Sequence, residues 1–149
     1  NKKLELYRGR RSFDQEWIYG SLLIDCDGDF HIVESEVVEK DGHHIRIDSD
    51  SPMFFDQETI GKYINQEDKD GNFLFEGDIC VIEGYEEEGY FLVCMDDYSR
   101  YLLGQFTEEH TPILTYTFTN VETKEIKLIG NIYDNPKFMS ENEKTQERE

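Results

Sequence analysis

"NQEDKDGNFLFEGDICVI" (65–82) decides how this chain is read. It places Asp68, Asp70 and Asn72 around Gly71, directly ahead of an apolar run. The stretch is either a cation-binding loop or the bend between two strands. An EF-hand loop needs oxygen ligands at positions 1, 3 and 5, glycine at 6 and a bidentate glutamate at 12. Counted from Asp68, Asp70 and Asn72 fill positions 3 and 5, but Phe73 stands at 6 and Ile79 at 12. The similar run Asp25-Cys26-Asp27-Gly28-Asp29 has Glu36 at position 12 and again no glycine at 6. Hairpin chemistry explains both with less, because Asp and Gly tolerate left-handed backbone and Asp-Gly is a leading two-residue turn. Both stretches read as bends, centred on Asp27-Gly28 and Asp70-Gly71, with a third at Asp41-Gly42. Gly77-Asp78, just before "ICVI", reads as a turn opening a strand, its carboxylate accepting turn amides.

Working outward from these corners, short apolar or alternating runs predict strands over 16–24, 30–35, about 44–47, 58–65 (with a short helical turn as the alternative there), 78–82, 90–95, 101–106, 114–119 and 125–133. In "LTYTFT" (114–119), Leu114, Tyr116 and Phe118 fall on one face and the threonines on the other. Five strands in the second half, with turns every eight to twelve residues, point to a small barrel or sandwich, an SH3-like barrel being the preferred form. The expected fold is mainly β, compact and multi-stranded, with an SH3-like barrel in the second half and little helix. One domain spans 1–138, made of an N-terminal β part (1–65) and a barrel-like part (66–138). The polar tail, 139–149, is expected to fray or form a short exposed helix.

Composition narrows the function classes. One Trp, nine Tyr and ten Phe in 149 residues suit wide side chains packed on a pleated surface. Acidic residues outnumber basic ones 34 to 15, for a formal charge of −19, which repels phosphate and disfavours direct nucleic-acid binding. Cys26, Cys80 and Cys94 are odd in number and lack CxxC spacing, against a disulfide framework or a zinc site. No apolar run approaches the eighteen or so residues of a membrane span, so a cytoplasmic protein is expected.

Catalytic groupings do not stand out, and the reading calls for no cofactor and no metal. His43 and His44 are adjacent, so on a strand they point to opposite faces. His31 lies in a strand and His110 in a polar loop. Arg8 and Arg11, in a basic N-terminus, are either a phosphate-contacting arm or partners of the protein's own carboxylates that anchor the first strand. Glu86, Glu87 and Glu88 form an acidic run that, with Arg8 and Arg11, is a candidate interaction surface. The aromatic residues around that run (Tyr85, Tyr90, Phe91, Tyr98 and Tyr101) read as core with one wet edge rather than as a base-stacking platform.

The stretches "YRGRR" (7–11), "EWIYG" (16–20), "ETIGKY" (58–63), "DKDGNFLFEGDI" (68–79) and "IGNIYDNP" (129–136) stand in order along the chain. Together they resemble the YopX-like family of phage and prophage proteins, up to about Phe138. The chain departs from the family's usual Thr-Gly-Leu before the Asp-Lys turn, with Ile64-Asn65-Gln66-Glu67 there instead. The resemblance implies a mostly β, phage-encoded protein and supplies no catalytic residues. The expected function is that of a non-enzymatic accessory protein that binds a host or phage protein, with homo-oligomerisation as one form of it. Two alternatives are weighed against it. One is an acidic decoy of DNA, requiring Glu86–Glu88, Asp96-Asp97 and Glu108-Glu109 in one spaced row. The other is a metal-dependent hydrolase or nuclease with converging carboxylates.

Overall fold

The structure is a computed structural model that describes residues 4–33, 35–37, 43–45 and 54–147. The chain divides into two units, Asn1–Tyr63 and Ile64–Glu149. Each unit has its own core.

In the first unit, β1 (Tyr7–Arg10), β2 (Trp17–Ile24) and β3 (Phe30–Val33) form consecutive antiparallel pairs. A separate ladder joins β4 (Ser35–Val37) to β5 (His43–Ile45). The strand β6 (Gly61–Glu67) starts here, with Gly61 and Lys62 opposite Arg8 and Tyr7. Ile18, Ile32 and Phe55 make the core, with Tyr7, Leu22 and Ile60 packed on it. The strand expected over 58–65 starts late because Gln57–Thr59 form a 3-10 turn, with Thr59 fully buried. The turn at Asp41-Gly42, the basic residues Lys2 and Lys3, and Arg46-Ile47 lie outside the described residues.

In the second unit, β6 runs on to Glu67, followed by β7 (Phe73–Phe75) and β8 (Asp78–Ile82). Then come β9 (Phe91–Met95), β10 (Tyr101–Phe106), β11 (Pro112–Thr117) and β12 (Ile126–Asn131). The helix α1 (Lys137–Glu147) follows. Five of these strands build an antiparallel sheet in the order β11-β10-β9-β8-β12. The expected SH3-like barrel is therefore not closed, because β11 and β12 sit at opposite ends of the sheet. The connection between them instead lays Phe118 and Val121 on the core, covering it with side chains rather than ladder hydrogen bonds. That core holds Leu74, Ile82, Phe91, Val93, Leu103 and Ile126. Cys80 is fully buried, as a small core residue, and burial pushes the half-buried Cys94 thiol up to about 11. Leu114, Tyr116 and Phe118 pack on the core together, as their alternation predicts.

Candidate protein-binding edge

The acidic turns decide whether carboxylates are available for chemistry. The bend at 25–29 is organised by Asp25, whose Oδ1 accepts the amides of Asp27 (2.9 Å) and Asp29 (3.0 Å). Asp68 Oδ1 does the same for Asp70 (3.0 Å) and Asn72 (2.8 Å). Asp96 Oδ1 repeats it with Tyr98 (2.8 Å) and Arg100 (2.9 Å). In each bend the fourth residue has positive φ: Gly28 (87°), Gly71 (84°) and Ser99 (62°). The capping acid is thus the first residue of the bend; Asp27 and Asp70, singled out from sequence beside their glycines, donate amides to it and are exposed.

Asp68 is buried, at 5% exposure, and its second oxygen accepts the Leu128 amide (2.9 Å) and the Asn72 side-chain amide (3.1 Å). Burial pushes its pKa up, but these hydrogen bonds outweigh that and hold the carboxyl below its ordinary range. The β-bulge between Leu128 and Gly130 lies at the Leu128 amide that Asp68 accepts. Four N–H groups occupy the carboxylate that the metal reading would assign to a cation. Among the described residues, no three His, Cys, Asp or Glu side chains gather as a metal site. Asp78 is buried too, and its Oδ2 accepts the Phe75 amide at 2.7 Å across the Gly77 turn.

The candidate interaction surface fares unevenly. Arg8 is 5% exposed, with its guanidinium 4.7 Å from the centre of the Trp17 ring, so it is no surface arm. Arg11 forms a two-pronged pair with Asp14, at 3.0 and 2.6 Å, and lies over Phe13. Glu86 accepts the Gly84 amide, and both oxygens of Glu88 accept the Tyr116 hydroxyl (2.9 and 3.1 Å). Glu87 is exposed. The spaced row required of a DNA decoy does not form. Strand alternation places the β9–β10 turn, with Asp96-Asp97, at the opposite end of the sheet from Glu86–Glu88 and Glu108-Glu109. A five-residue strand separates those ends by roughly 17 Å. Asp96 is in addition tied to Arg100 at 2.9 Å.

What remains open is a strand edge. Among the described residues, β11 ends its sheet and is paired only with β10, from Leu102↔Thr117 to Phe106↔Pro112. In an antiparallel strand roughly half of the backbone groups face away from the partner. No charged residue occurs from Thr111 to Val121, while Glu108, Glu109 and Glu122 flank the segment. Protein edges are usually guarded by lysine, proline or a bulge. Here Pro112 and a bulge at Gln105/Phe106 guard only the first residue, leaving Ile113 and Thr115 exposed along the strand.

The family model described as YopX protein matches residues 6–140. The chain belongs to the YopX family. A solved structure, protein EF1440 from Enterococcus faecalis, is similar in fold, with a TM-score of 0.60 at 19% identity. That match covers 93% of this chain and 99% of the other. No curated protein matches the sequence.

Four of the five stretches that carry the YopX resemblance meet in space in two pairs. "YRGRR" meets "ETIGKY": the Arg10 amide donates to Thr59 Oγ1 (2.9 Å), and a Cβ on Gly9 would crowd Ile60, Phe55 and Ile32. "FEGDI" meets "IGNIYDNP": the Ile132 amide donates to the Gly77 carbonyl (2.9 Å). A Cβ at Gly77 would lie 2.9 Å from the Tyr133 ring, and Asp78 pairs with Asn131. Asn131 Oδ1 accepts the amides of Tyr133 and Asp134, closing that corner. These YopX motifs are therefore seams of the scaffold. Asn65 has φ of 59°, a left-handed conformation that Asn tolerates better than most residues. Sequence reasoning missed Asp25 and Asp68 as caps; the repeated Asp-x-Asp-Gly spacing carried that signal.

Proposed function

We propose that this YopX-family protein is a phage- or prophage-encoded accessory protein that works in the cytoplasm of a bacterial host by binding another protein, with no chemistry of its own. The observation that supports this reading is the uncharged, exposed edge strand β11 in a chain of net charge −19. An edge left without lysine is a template for pairing, which evolution ordinarily suppresses. The internal use of Asp25, Asp68, Asp78 and Asp96 agrees with it, since these acids hold turns together.

Immobilised full-length protein is exposed to lysates of infected and uninfected host cells, and retained proteins are quantified by mass spectrometry. The expected result is one protein enriched and retained at stoichiometric amount. Catalytic turnover by the purified chain, abolished by a single carboxylate substitution, would overturn the reading, as would the absence of any retained protein.

A further inference from the structure

We propose that β11 receives an extended, lysine- or arginine-bearing segment of the partner as an added strand. This inference rests on the protein-binding reading and names the partner's chemistry and binding mode. Strand addition draws affinity from backbone hydrogen bonds and specificity from alternate side chains. β11 offers both. Among the described residues, no other strand is hydrogen-bonded to its outer backbone edge, and its sequence "PILTYT" is uncharged and rich in β-forming residues.

The edge is also held ready. Leu114 and Tyr116 pack on the core, and the Tyr116 hydroxyl is fixed by Glu88. At the strand's end, Thr117 Oγ1 lies 2.7 Å from Asn120 Oδ1, and the Asn120 amide donates back to the Thr117 carbonyl (3.0 Å). A strand already in register loses little conformational freedom when it binds.

Charge selects the occupant. Glu108 and Glu109 precede β11, so an incoming strand passes acids at that end, while Glu122 beyond the other end is already paired with Lys124 at 2.9 Å. A second copy of the chain would bring its own Glu108 and Glu109 to this edge in a chain of the same −19 charge, and charges act over roughly 8 Å at physiological salt. A cationic segment is attracted there, and an anionic one is repelled.

The test uses the full chain and a fluorescent ten-residue peptide alternating Thr or Val with Lys, beside a twin carrying Glu in place of Lys. Binding is read by anisotropy, and its location by amide hydrogen exchange. The lysine peptide is expected to bind and to slow exchange in 113–117 at least tenfold. The glutamate twin should bind at least tenfold more weakly. Thr115→Lys, on an exposed position, should weaken the lysine peptide at least tenfold with an unchanged unfolding midpoint. If that variant is destabilised, Ile113→Lys replaces it. The assignment is overturned by any of these results: no binding, equal binding of both peptides, protection confined to other segments, or an edge lysine without effect. It is also overturned if the protein alone shows concentration-dependent protection of the same amides, which would make a second copy the occupant. A cellular partner retained equally by wild type and Thr115→Lys removes the edge assignment while leaving the protein-binding reading; the absence of any retained partner removes the reading itself.

Discussion

The side chain of Asn142 hydrogen-bonds both backbone groups of Tyr90: Oδ1 accepts its amide at 2.9 Å and Nδ2 donates to its carbonyl at 2.8 Å. The Tyr90 ring stacks on Phe138, one helical turn earlier, with centroids 4.9 Å apart. Gly89 has φ of 95° and makes room for the asparagine, since a Cβ there would collide with it. The polar tail is thus a helix docked by one face, not a purely exposed one. Asn142→Ala leaves two backbone groups without their partner and is expected to cost about 1–3 kcal/mol. Gly89→Ala should cost at least as much. Urea unfolding measures both, and faster amide exchange across α1 identifies the cause.

Asp68 and Asp70 are two residues apart and are expected to differ sharply. Asp68→Ala strands several N–H donors in a buried bend and should cost about 2–4 kcal/mol. Asp70→Asn, at an exposed position, should stay within about 0.5 kcal/mol of wild type. Calcium titrated into EDTA-treated protein should give no saturable heat, because donors already fill the Asp68 carboxylate. Tight, saturable heat lost in Asp68→Ala would reverse that conclusion.

Acid stability follows from the same bends. The His31 imidazole, 2.7 Å away, is the main cause holding Asp25 below its ordinary pKa; the Arg100 amide is the main one for Asp96. Asp68 is lowered as well, despite its burial. A depressed carboxylate contributes stability above its unfolded pKa of about 3.9 and loses it as pH falls through the folded value. Wild type should therefore hold its urea midpoint from pH 7 to about 5 and lose it steeply below 4. Asp68→Asn should start lower at pH 7 and fall less steeply in the acid range.

Besides Gln15 (φ 61°) and Asn65 (φ 59°), two turns carry residues that the backbone does not favour. Ser99 (φ 62°) and His110 (φ 64°) occupy the left-handed region, which is strained for residues with a Cβ. Ser99→Gly and His110→Gly should each stabilise by about 0.5 kcal/mol, the relief exceeding glycine's added freedom in the unfolded chain. Thermal unfolding should show both midpoints rising; a fall in both would mean that the side chains hold the turns.

Arg8 and Arg11 separate packing from surface pairing. Arg8→Ala removes a buried guanidinium from the Trp17 face and should cost about 1–2 kcal/mol. Arg11→Ala breaks a partly exposed pair with Asp14 and should cost less than about 1 kcal/mol. Equal losses in chemical denaturation would contradict this ranking.

Much of the architecture was legible because its signals are local. Strand alternation at Leu114, Tyr116 and Phe118 and the Asp-Gly bends need only a few neighbouring residues to act. The three-residue β7 was too short to show a period, and β6 was displaced by the buried Thr59 turn. The barrel expectation failed because strand count does not state which strands become neighbours.

The amino-acid sequence by itself determined the β character, the bends at 25–29 and 68–72, the acidic charge balance and YopX membership, all of which depend on residue type and short spacing. Only the tertiary structure decided that Asp68 reaches Leu128 across 60 residues and that Asn142 clasps Tyr90 across 52. It alone left β11 as an edge. Those outcomes depend on sheet order and burial, where a hydrogen bond forms only once the whole unit has brought distant donors and acceptors within about 3 Å.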